Sequence, residues 1–205
     1  MRMVDEENEQ KKKIAEAEDY YKKGLVYGQE SDVNGAIECW QKTVELNPNH
    51  FEGWYNLGNA YYMGKGDLER ALECWNRTLE LKPDDVDVLY NMGNAYRENK
   101  YYDKAIECYK KVLEINPEDH EAWNNMANAY RGKGELTQAI EYWKKALEIK
   151  PDKYETWYNL GVIYRELGEF DLAINCCQRI LERYPNSYEV KRLLNTINEE
   201  KERAK

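Results

Sequence analysis

Trp54-Tyr55-Asn56-Leu57-Gly58-Asn59-Ala60-Tyr61-Tyr62 is the stretch from which the rest of the chain can be read. Trp54, Leu57, Gly58 and Tyr61 fall at i, i+3, i+4 and i+7, which is one face of an α-helix. Gly64-Lys65-Gly66 breaks the pattern and reads as a lengthened turn. A second stripe follows in Ala71, Leu72, Trp75, Thr78 and Leu79, and Pro83 stops it.

The same helix-turn-helix-turn unit recurs on both sides. All five prolines, Pro48, Pro83, Pro117, Pro151 and Pro185, stand 35, 34, 34 and 34 residues apart. Ala36, Ala71, Ala105, Ala139 and Ala173 keep the step. So do Tyr27, Tyr61, Tyr96, Tyr130 and Tyr164, and the small residues Gly24, Gly58, Gly93, Ala127 and Gly161. Small residues let paired helices approach, and the aromatics fill the space beside them. One such pair cannot cover its own apolar face, so pairs must stack in a row to bury a continuous core. The row needs an end. Tyr188, Val190, Leu193, Leu194 and Ile197 in segment 188–205 supply a capping face, and the polar remainder NEEKERAK is expected to face water.

This pattern resembles the tetratricopeptide repeat, whose 34-residue unit reads W-x2-L-G-x2-Y, then A-x3-F, then P. The resemblance covers 17–187 as five repeats, 17–50, 51–85, 86–119, 120–153 and 154–187, after a charged extension over 1–16 and before the cap. The second repeat carries one residue more than the others, assigned to its Gly64–Gly66 turn. Tyr20 and Lys23 stand where Trp and Leu are usual, and Cys177 takes the aromatic slot of the fifth repeat. The family implies an all-α fold, a right-handed α-solenoid of antiparallel helix pairs whose first helices line a concave groove.

The family's groove positions then fall on named residues. The sixth and ninth positions give Asn56, Asn91, Asn125 and Asn159, and Asn59, Asn94 and Asn128, a ladder of seven amides. Each amide can both donate to and accept from the backbone of an extended peptide. The fifth position gives Tyr55, Tyr90, Asn124 and Tyr158, and the twelfth gives Tyr62, Arg97, Arg131 and Arg165. The second position adds an acidic line of Glu18, Glu52, Asp87, Glu121 and Glu155. An acidic edge, an amide floor and a basic edge suit a peptide of mixed charge. The family's clamp for the C-terminal carboxylate of heat-shock chaperones does not fit. Its lysine positions hold Tyr55 and Glu121, or Tyr90 and Glu155, and the glutamates repel a carboxylate.

Composition excludes other classes. The chain has 205 residues, a net charge of -9 and a pI near 5.0, which disfavours nucleic acid as a partner. No apolar run reaches the roughly 20 residues of a membrane span, so membrane insertion is not expected. Cys39, Cys74, Cys108, Cys176 and Cys177 follow the repeat and not a metal-ligand spacing, so free thiols and a cytoplasmic location are expected. No nucleophile, base or phosphate-loop constellation stands out, and His50 and His120 sit apart at repeat boundaries. No enzyme, cofactor or metal is expected. Two functions remain open: an interaction module that holds a protein or peptide partner in its groove, and a structural protein that homo-oligomerises through repeat ends or the 1–16 arm.

Overall fold

The computed structural model describes residues 2–204, and the fold is an all-α solenoid of antiparallel helix pairs. The helices are α1 (Arg2–Gln29), α2 (Val33–Leu46), α3 (Phe51–Asn59), α4 (Leu68–Leu81), α5 (Val86–Glu98), α6 (Tyr102–Ile115), α7 (His120–Lys133), α8 (Leu136–Ile149), α9 (Tyr154–Glu166), α10 (Phe170–Arg183) and α11 (Tyr188–Arg203). They form two compact units, Met1–Ala95 and Tyr96–Lys205. No helix among the described residues is long and apolar enough to cross a membrane.

In the first unit, α1 packs on α2 and α3 on α4. The pairs close because the small residues of the first helices leave room for indoles. A Cβ on Gly24 would lie 2.4 Å from Trp40 Nε1, and one on Gly58 would lie 2.6 Å from the Trp75 ring. Trp75 is completely buried. The second unit stacks α7 on α8 and α9 on α10, around Ala127, Trp143, Leu160, Ile163, Ala173, Cys177 and Ile180. Helix α11 adds Val190, Leu193 and Ile197 to this core, as a cap should.

The turns between paired helices share a device. Ser31, Gly66, Lys100, Gly134 and Gly168 all have φ between 63° and 83°. One left-handed residue reverses the chain in each turn. Glycine does this without steric cost at three of the sites, while Ser31 and Lys100 bear the strain of a Cβ. Asp32 and Asp67 cap the helices after two of these turns, and Asp119 and Ser187 cap α7 and α11 after turns between pairs, each accepting from first-turn N–H groups.

Two sequence expectations need correction. The extra residue of the second repeat lies inside the helix, in a π-helical turn over Ala60–Gly64, and not in the Gly64–Gly66 break. Widening one helical turn absorbs a residue while leaving Gly66 as the left-handed residue of the reversal. The polar end of the chain is also not simply solvated: α11 continues to Arg203, and Lys201 contacts Asp171 while Glu200 grips Arg165.

All five cysteines are free, and four are buried. Burial pushes the Cys74 and Cys176 thiols up to about 12 and those of Cys108 and Cys177 up to about 11. The thiolate is the reactive form. Iodoacetamide at pH 7 should therefore modify at most Cys39 in the native chain and all five thiols in denaturant, as counted by intact mass.

Candidate functional site

Within each unit, asparagines of the first helices bond one repeat to the next. In the first unit, Asn56 Nδ2 donates to the Tyr21 hydroxyl at 3.3 Å. Asn91 Nδ2 donates to the Tyr55 hydroxyl at 3.3 Å and to Asn59 Oδ1 at 2.9 Å. Asn59 Oδ1 also accepts from the Trp75 indole at 3.0 Å. In the second unit, Asn159 Nδ2 donates to Asn128 Oδ1 at 3.3 Å, and Asn124 Oδ1 accepts from the buried Thr156 hydroxyl at 3.1 Å. The ladder is thus partly a seam between neighbouring repeats. Tyr62 packs against Trp75, and Tyr90 and Asn94 are likewise engaged by neighbours.

The histidines, which the sequence left unassigned, belong to this face. His50 caps α3: its Nδ1 accepts from Gly53 N at 3.1 Å, so the ring proton sits on Nε2, 3.4 Å from Glu18 Oε2. Glu52 Oε2 is 3.3 Å from the same ring, and Tyr21 packs on it with centroids 4.7 Å apart. His120 opens α7 and lines a cavity of about 220 Å³ with Glu121, Asn124, Asn125, Lys153, Glu155 and Thr156. These groups come together only across a repeat boundary, and no motif announces it. A second regularity also escapes a pattern search. The indoles of Trp54, Trp123 and Trp157 each donate to the carbonyl of the proline six residues earlier, Pro48, Pro117 and Pro151, at 2.7–2.9 Å.

The arginine line carries less free charge than its spacing suggests. Arg165 makes a two-pronged contact with Glu200, at 2.8 and 2.9 Å. That pairing holds the Glu200 carboxyl below its usual range. Arg131 lies 3.6 Å from Glu166. Arg97 is half-buried beside Tyr109, whose hydroxyl burial pushes up to about 12. Tyr158 packs on Tyr154 and is raised first by burial, then by its bond to Glu189 of α11.

Two predictions separate the seam from the surface. Asn59→Ala strands the buried Trp75 N–H and should cost about 1–3 kcal/mol, whereas Asn56→Ala should cost less than about 1 kcal/mol. Chemical denaturation of both variants checks the order. His120 titrates below its ordinary value of 6.5, because burial and then Lys153 disfavour the imidazolium. Between that lowered pKa and 6.5 the unfolded chain holds a proton on this residue that the folded chain lacks. Stability should therefore rise with pH across that window and His120→Gln should flatten the slope, read as denaturation midpoints at pH 5 to 7.

Residues 43–153 match the sequence model of the cytochrome c-type biogenesis protein H tetratricopeptide-repeat domain. Residues 17–50 and 154–187 each match a tetratricopeptide-repeat model. Among solved structures, MamA from Desulfovibrio magneticus RS-1 superposes with a TM-score of 0.76 at 21% identity, over 84% of this chain and 97% of that one. A tetratricopeptide repeat protein from Parabacteroides merdae gives a TM-score of 0.79 at 19% identity, over 89% and 72%. At these identities the likeness is one of fold. An uncharacterized protein of Methanocaldococcus jannaschii is 45% identical over 47 residues, 23% of this chain and 55% of its own, so the chain spans about half the length of that curated relative.

Proposed function

The chain belongs to the tetratricopeptide-repeat family, and from that premise we propose that it is an interaction scaffold whose five repeats over 17–187 hold an extended protein segment against their first helices. The observation that carries the reading is the way the amides are held. Asn56, Asn91 and Asn159 are fixed by bonds to the preceding repeat, and Asn56 and Asn159 each keep an N–H and a carbonyl oxygen for a ligand. A preorganised row loses little side-chain entropy when a peptide backbone pairs with it. Tyr55 and Tyr158, both half-buried, add apolar contact area with a polar tip.

The test is a paired pull-down from an extract of the source organism. One bait is the native chain and the other a Tyr55→Ala/Asn125→Ala variant matched to it in thermal stability. Partners held by the native bait and lost from the variant are expected. Equal capture by both places binding elsewhere and ends the reading.

The alternative is self-assembly, and one observation favours it. Helix α1 has 28 residues where α5, α7 and α9 have 13 or 14, and residues 6–16 are exposed. A mass that falls on dilution in sedimentation velocity, and stays monomeric after removal of residues 1–16, would move the function to that arm.

A further inference from the structure

In the first unit the helix face is interrupted by a cavity of about 320 Å³ between α1 and α3, floored by α2. None of the residues that line it is charged. Three local departures from the repeat pattern open it. Gly28 stands where the later repeats carry Tyr62, Arg97, Arg131 and Arg165. The π-helical turn puts Ala60, Met63 and Gly64 on the wall, with Met63 77% exposed at the rim. Gly64 lets the Val33 side chain come within 2.4 Å of where a Cβ would be. The floor includes the benzo edge of the buried Trp40, whose Cη2 lies 3.5 Å from a Cβ built on Gly28.

Two carboxylates lie to one side of this cavity, while Lys65, next to the lining Gly64, is bonded to Asn34. Ten residues before Gly28 on α1 and in the first turn of α3, Glu18 and Glu52 flank His50, each about half exposed. Among the described residues, the exposed Lys22 pairs with Glu18 at 3.4 Å, a contact worth little in water, and Glu52 also acts on the Lys82 ammonium without an ion-pair contact. Neither wall of the cavity supplies a basic group.

We propose that this face selects an extended peptide by two features: a large apolar side chain, Leu, Met, Phe or Trp, seated in the cavity, and a Lys or Arg held by Glu18 and Glu52. The proposal rests on the groove reading above and gives it a specificity. Ten residues of helix separate Glu18 from Gly28, about 15 Å. An extended chain covers that in about five residues, so the two features should be spaced accordingly. The cavity is at the small end of ligand sites, of the size for one anchoring side chain. Met63 is suited to close over anchors of different shape, since its unbranched thioether adapts.

The test is selection of a random dodecapeptide phage library on the full chain, followed by fluorescence anisotropy with synthetic copies of the winners. The expected winners pair a bulky apolar residue with Lys or Arg about five residues away. Gly28→Leu fills the cavity from a position where its Cβ makes only ordinary contact, and should weaken binding about tenfold or more. Glu52→Lys should do the same for the basic residue, and Met63→Glu is a second cavity variant should Gly28→Leu disturb α1. Winners without the apolar and basic pair, or winners bound equally by the cavity variants, overturn the proposal. If those winners still lose affinity on Tyr55→Ala/Asn125→Ala, the groove reading survives alone. If the native chain enriches no peptide, both fall.

Discussion

The fold depends on one close approach, repeated: a residue without a side chain, or with a single methyl, lies against a large ring of the following helix. Gly24 faces Trp40, Gly58 faces Trp75, and Ala127 shares a buried cluster with Trp143. Close packing makes this contact unforgiving, since any added carbon must displace a large, buried indole. The fifth repeat relaxes it. A Cβ on Gly161 would sit 3.9 Å from Cys177 Sγ, ordinary contact, because a thiol has replaced the ring. That repeat is the one α11 covers with Val190, Leu193 and Ile197, so apolar burial missing from inside the pair is recovered from the cap.

Period and pairing were legible because they are fixed by residue types that recur at the same place. Proline ends a helix wherever it stands, and a glycine opposite a tryptophan admits little else. Other features were hidden because they depend on partners a repeat away. Nothing in the letter Asn59 says that its oxygen serves Trp75 and Asn91 together. Nothing in His50 says that its ring replaces the usual Asp or Ser of a helix cap. The turns show the same limit. Gly66, Gly134 and Gly168 announce a left-handed residue, while Ser31 and Lys100 adopt that conformation with no sequence signal, under the constraint of the paired helices on either side. The place of the extra residue in the second repeat is hidden for a related reason. An inserted residue next to two glycines reads as loop, yet keeping the reversal at Gly66 requires the helix to absorb it.

The amides and arginines serve the stack as well as any ligand, and this changes the electrostatics of the face. Two of the three arginines in the line, Arg131 and Arg165, make cross-repeat contacts with Glu166 and Glu200 in the second unit. The acidic line is less fully matched: Lys153 reaches Glu121 at 3.4 Å, while Glu52 lies 3.3 Å from the His50 ring and acts on Lys82 only at longer range. Cations have been taken into the seam and some carboxylates left toward solvent. A face of this kind attracts basic segments before any shape matching begins.

The ninth position of the repeat makes the competition between seam and core explicit. An asparagine oxygen there has two lone pairs, and Asn59 uses them for the indole behind it and the amide ahead of it. Asn128 gives its oxygen to Asn159, and the Trp143 N–H is left buried without a partner. In the first repeat Leu25 offers no acceptor at all, and the Trp40 N–H is stranded in the same way. A buried donor without a partner costs about 1–3 kcal/mol. The first repeat bears that cost while also carrying the Gly28 that opens the cavity toward Met63 of the next repeat. The least satisfied pair in the first unit is therefore also the one with an apolar vacancy, and filling that vacancy from outside would add the packing contacts the pair lacks.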